Sequence, residues 1–178
     1  MRLKNNLAVL SVMLAAIVLA APSIAAQKID EATRIKNRDQ LARMLSAAAE
    51  ATHMNFQRSK TNQFNYSAYL TTGLKQSDTI EVVIGATDVH TIFMRAFPKY
   101  KGNYINVDKV REPLTLMRQM LKLSGRTFCH WGTDAQGDVF FGFTFTLESG
   151  FPTEAIRVVL RSIAHHDEYI AELKSAIE

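Results

Sequence analysis

Residues Val139 to Leu147 read VFFGFTFTL, and their polarity alternates with a period of two. Val139, Phe141, Phe143, Phe145 and Leu147 fall on one side; Phe140, Gly142, Thr144 and Thr146 fall on the other. Successive side chains of a strand point to opposite faces, so this strand has one wholly apolar face and one mostly small or hydroxylated face. A row of three phenylalanines needs a large cover, and helical patterns occur on both sides of it in the chain.

Immediately upstream, Thr127–Thr133 reads as a strand, and Asp134, Ala135, Gln136 and Gly137 between the two read as a hairpin turn. Before that, Pro113 suits the first turn of a helix running to Leu123, because its missing N–H costs nothing there. Gly125 stands where a left-handed C-cap is expected. The apolar positions Leu114, Leu116, Met117, Met120, Leu121 and Leu123 cover more than one stripe, which predicts burial on two sides or self-association. Downstream, Ser149, Gly150 and Pro152 punctuate the chain. A last helix then opens at Pro152 or Thr153 with Glu154 in its first turn. Its inward stripe is Ile156, Val159, Leu160, Ile163, Ile170, Leu173 and Ile177.

The N-terminal half supplies one more helix and three more strands. From Asp30 to about Arg58, Ile35, Leu41, Met44, Leu45 and Ala48 recur at threes and fours, and the alanine-rich centre has high helix propensity. Phe64–Leu70, Thr79–Ala86 and Thr91–Phe97 read as strands joined by connections short enough for an antiparallel meander, with Pro98 expected to end the third. The order is helix, three strands, helix, two strands, helix. It predicts a single α+β domain, an antiparallel five-stranded sheet with helices mainly on one face.

Residues 1–26 have another character. Arg2 and Lys4 precede the uncharged apolar run Leu7–Ala21, and small residues follow at Ser23 and Ala25. This is the pattern of a cleavable secretory signal peptide over residues 1–25, with the domain occupying 26–178. The run is short of the roughly 20 residues that span a bilayer. A periplasmic or secreted bacterial protein is expected, with no membrane contact after removal of the leader.

The chain of 178 residues carries 21 basic and 17 acidic side chains, a net +4 that falls to +2 without Arg2 and Lys4. That balance, with no run of cations interleaved with aromatics, argues against nucleic acid as a partner. The one cysteine, Cys129, cannot form an intrachain disulfide. Its apolar neighbours Phe128 and Trp131 make it a small buried hydrophobe, with an intermolecular disulfide as the alternative.

The segment from Leu114 to Ile177 (LTLMRQMLKLSGRTFCHWGTDAQGDVFFGFTFTLESGFPTEAIRVVLRSIAHHDEYIAELKSAI) resembles the YbjN-like proteins. These are described as bacterial sensory transduction regulators with a fold similar to type III secretion chaperones. The shared pattern is an apolar helix, a strand with an aromatic, a Gly-containing turn, a second apolar strand, and a polar break before a long final helix. It covers Gln63 to Ile177. The resemblance implies a dimerising, protein-binding module and assigns no catalytic residue.

Residues that could carry chemistry mostly have a plainer reading. His165, Arg161, Glu168 and Glu172 share a helix face at i, i+3, i+4 and i+7 spacing, which suits a solvated, ion-paired surface. A metal held by His165, Glu168 and Glu172, with His53 or His90 from elsewhere, is the alternative. His166 falls at the border of the inward stripe. Cys129 and His130 are adjacent on a strand and point to opposite faces, so they cannot act as nucleophile and base. Asp88 and His90 suggest a hydrogen-bonded turn. There is no phosphate loop, G-x-S-x-G, H-E-x-x-H or C-x-x-C. The methionines Met44, Met54, Met94, Met117 and Met120 suit a core or an adaptable binding surface.

These observations point to a non-enzymatic protein-binding module, chaperone-like or regulatory, without cofactor or metal. It is expected to form a homodimer and to bind an unidentified protein client. The candidate partner surface is Leu116, Met117, Met120 and Leu123. Two other readings remain: a carrier holding a small apolar ligand or lipid between the Phe141–Phe145 face and the final helix, and an enzyme whose site is assembled from His90, Tyr100 or Tyr104.

Overall fold

The computed structural model describes residues 28–178, so the expected signal peptide lies outside the described residues. The elements run α1 (Glu31–Thr52), β1 (Gln57–Arg58), β2 (Asn65–Leu70), β3 (Thr79–Ala86), β4 (Thr91–Tyr100), β5 (Asn103–Tyr104), α2 (Pro113–Arg126), β6 (His130–Thr133), β7 (Val139–Thr146), α3 (Thr153–His166), a 3₁₀ turn (Asp167–Tyr169) and α4 (Ile170–Ile177). The strands lie in the order β1-β2-β3-β4-β7-β6, with β5 folded back onto β4, and every pair is antiparallel. This is the α+β sheet-and-helix architecture expected from the alternation, with two two-residue strands added to the five long ones.

β7 pairs with β4 on one side and β6 on the other, so it joins the N-terminal meander to the C-terminal hairpin. Its inward row meets the helices: Val139, Phe141, Phe145 and Leu147 are buried, while Phe143 stays partly exposed. The inward faces of β2, β3, β4 and β7 share one apolar core with Leu41, Met44 and Leu45 of α1, Leu116, Met120 and Leu123 of α2, and Ile156, Leu160, Ile163, Ile170 and Leu173 of α3 and α4. All four helices therefore cover the same side of the sheet. Among the described residues, no helix is long and apolar enough to cross a membrane.

Several boundaries differ from the sequence reading for identifiable reasons. α1 ends at Thr52 rather than near Arg58, because the Thr52 hydroxyl bonds back to the Ala48 carbonyl at 2.8 Å and His53 adopts a left-handed cap. Asp30 begins the helix by accepting the Thr33 N–H at 2.7 Å. β4 runs through Pro98 to Tyr100. The Lys99 carbonyl accepts from Asp78 on the β3 side. Pro98 therefore turns its nitrogen the other way, where β7 pairing has stopped at Ala96 and no donor is required.

Gly125 is not the C-cap of α2. It lies inside the helix, which Thr127 ends by bonding the Leu123 carbonyl through its N–H at 2.9 Å and its hydroxyl at 3.0 Å. The long final helix is broken after His166 by the 3₁₀ turn. There the fully buried Asp167 carboxylate accepts the N–H groups of Lys75, Gln76 and Ser77 at 2.6, 2.7 and 2.9 Å, tying the β2–β3 connection to the helical layer.

Candidate protein-binding surface

α2 starts at Pro113 and is clamped along its inner side. Leu116, Met120 and Leu123 are almost completely buried. The Ser124 hydroxyl accepts the Trp131 N–H at 2.7 Å, fixing the helix to β6. The Glu112 N–H donates to the Ala176 carbonyl at 3.0 Å, and Arg126 pairs with Glu172 at 2.5 Å, fixing it to α4. The outer side is different. Leu114 is 67% exposed, Leu121 71% and Met117 40%. At about 100° per residue these three lie on the outward side, with Arg118 and Lys122 beside them. No Asp or Glu occurs between Pro113 and Thr133. The result is a rigid helix presenting an aliphatic stripe edged by cations.

The four residues singled out from the sequence therefore separate. Leu116, Met120 and Leu123 belong to the core, and only Met117 reaches the surface, where its neighbours are Leu114 and Leu121. Met44, Met54 and Met94 are also core residues.

Among the described residues, no group of three or more His, Cys, Asp or Glu side chains is placed to hold a metal ion. His165 is exposed and 3.7 Å from Glu168. Lys75 binds that same carboxylate at 2.9 Å and holds it below the usual range, while Glu172 is taken by Arg126. His166 turns inward, stacks on Phe141 at 5.2 Å between ring centres, and bonds the Ser162 carbonyl through Nδ1 at 3.0 Å. Cys129 is buried, which pushes its thiol up to about 12, while His130 lies exposed on the far side of the sheet. Asp88 does not pair with His90. Its carboxylate binds Lys28 at 3.0 Å, and the turn is closed by Thr87 and Thr91.

A cleft of about 550 Å³ brings Tyr100 and Tyr104 together with Lys101, Asn106, Asp138 and Glu178. The Tyr100 hydroxyl donates to Glu178 and that of Tyr104 to Glu81. Of the residues considered for an enzyme site, Tyr100 and Tyr104 therefore share a cleft, while His90 stands apart at the opposite end of β4. Between the phenylalanine row and the final helices, where a small apolar ligand was considered, Phe141 packs against both Trp131 and His166.

No protein-family model matches the chain, and no curated protein does. A solved structure described as the crystal structure of the ExsC-ExsE complex is similar at 14% identity, over 76% of this chain and 94% of that one, with a TM-score of 0.46.

Proposed function

We propose that this protein is a non-enzymatic, chaperone-like or regulatory protein-binding module that associates through the outer face of α2, with a second copy of the chain as the first occupant. The observation that carries this reading is the exposure of Leu114, Met117 and Leu121 on a helix whose inner side is already fixed. Such a stripe loses little conformational freedom on docking, and burial of its aliphatic side chains supplies the driving force. The resemblance of the Leu114–Ile177 segment to YbjN-like proteins supports the same reading. The leader pattern of residues 1–25 supports a periplasmic or secreted location, to be checked by the intact mass of the protein recovered from the cell envelope.

Leu121→Glu places a charge at the most exposed position of the stripe without touching the core. In sedimentation the parent chain is expected at twice the mass of the variant, and equal masses would reject this interface. The flanking cations give a second signature. An isologous contact brings Arg118 and Lys122 near their own copies with no carboxylate on the helix to offset them. Self-association is therefore expected to strengthen as salt is raised.

A further inference from the structure

The second feature is the face of the sheet that no helix covers, and it goes beyond the α2 reading. Outward-pointing residues along β4 alternate in kind: Phe93, Arg95, Phe97, Lys99. The pattern is ring, cation, ring, cation at every second position, over about 20 Å at 3.4 Å per residue. Neighbouring strands complete the floor. Gly85 faces Phe93, Gly142 faces Arg95, and Phe140 lies against Phe97 with ring centres 5.6 Å apart. Two of the rings come close to glycines on neighbouring strands. A Cβ on Gly85 would meet the Phe93 ring at 2.8 Å, and one on Gly132 would meet Phe140 at 3.4 Å.

Along β3 and β4 the cations on this face outnumber the carboxylates. Arg95 is exposed and lies across Phe140 at 4.8 Å and Phe93 at 5.7 Å. Lys99 lies over Tyr104 at 4.5 Å and Tyr69 at 5.4 Å. Neither forms an ion pair among the described residues. The one carboxylate pointing outward from β3, Glu81, accepts from the Tyr104 hydroxyl and keeps its charge, so it offsets one of the two cations and leaves the other in excess. Tyr69, beside it, is half-exposed.

We infer that this uncovered face docks an extended, acidic segment of a partner protein, whose inward side chains alternate aliphatic and carboxylate to match the order Phe93, Arg95, Phe97, Lys99. The spacing selects an extended chain, because inward side chains of a strand recur at the same interval as those of β4. Carboxylates are selected because both cations are unpaired and held in place by rings beneath them. Nucleic acid fits less well. Its bases need open ring faces, whereas Phe140 has Gly132 on one side and Arg95 on the other.

The probe is a fluorescein-labelled peptide with glutamate and leucine alternating at every second position and serine between them; its lysine counterpart is the control. Anisotropy with the full chain is expected to show binding of the acidic peptide only, weakening as salt is raised, the opposite sign to α2 self-association. Arg95→Glu and Lys99→Glu should each weaken it by about tenfold or more, Arg95→Lys should restore part, and the double variant should bind the lysine peptide instead. Leu121→Glu should leave peptide binding unchanged even where it abolishes self-association, so the two surfaces fail or stand separately. No binding, equal binding of both peptides, indifference to Arg95→Glu, loss of binding in Leu121→Glu, or tighter binding of a single-stranded oligonucleotide would each overturn the inference.

Discussion

At the scale of single residues, the segment His165-His166-Asp167-Glu168 shows how identical polarity can divide into opposite roles. His165 and Glu168 stay in solvent, while His166 and Asp167 are buried. Asp167 binds three consecutive backbone N–H groups of residues 75–77. Removing the carboxylate leaves those donors unpaired, so Asp167→Ala is expected to cost about 3 kcal/mol, read from the shift in urea midpoint at constant slope. Nothing in the sequence announces this, because the partners are main-chain amides without a residue signature. His166 makes a pH prediction. Burial, chiefly, lowers its pKa below the ordinary 6.5, with His165 acting the same way and the Ser162 carbonyl opposing. The unfolded chain therefore takes up a proton at higher pH than the fold does. Stability is complete above 6.5 and falls as pH drops below it. His166→Phe keeps a ring against Phe141 and is expected to flatten that loss in melts between pH 6.5 and 4.5, above the range where Glu168 and Glu178 begin to contribute. Some slope should survive, since partial desolvation of the ring and the Arg95 charge lower His130 in the same direction.

At the scale of elements, strands were more legible than helix faces, and the reason is geometric. A period of two leaves only two faces, so the apolar row of VFFGFTFTL could point only inward. α2 has six apolar positions spread around its circumference, and no sequence pattern distinguishes Leu116, Met120 and Leu123, which pack, from Leu114, Met117 and Leu121, which do not. The ends of α1 and β4 were missed for local reasons, the Thr52 back-bond and the unpaired side of Pro98. Glycine provides a direct check on these placements. Gly125 is helical and nothing lies within 4 Å of a Cβ built there, so Gly125→Ala is expected to stabilise the protein by up to about 1 kcal/mol. Had it been a left-handed cap, the same change would destabilise. Gly142 sits in β7 where a Cβ would come within 2.5 Å of the Met94 carbonyl oxygen, so Gly142→Ala is expected to cost about 1–3 kcal/mol. Thermal melts of the two variants should move in opposite directions.

At the scale of the whole molecule, the pairing of β4 with β7 decides whether the chain behaves as one unit. Thr91 lies opposite Thr146 and Ala96 opposite Phe141, so this seam closes a long loop containing α2 and β6. Closing it costs chain entropy that no local contact repays. The return comes from the shared core, in which α2, α3 and α4 contribute side chains to the same cluster as the meander strands. Neither half buries its apolar face alone: the meander needs the helices that follow β7, and the C-terminal hairpin needs β4 as its neighbour. Unfolding is therefore expected to be a single transition, with coincident loss of helix signal and of Trp131 fluorescence. Amide exchange should rank accordingly. The slowest amides belong to β3, β4 and β7, whose partners on both sides pair over four residues or more, and the fastest to the two-residue strands β1 and β5. A melt in which Trp131 reports before the helices, or protection of β2 and β3 that outlasts that of β7, would mean that the meander stands without the seam. The two exposed surfaces would then sit on separately folding parts, and a substitution in β4 could no longer be assumed to reach α2 through a common core.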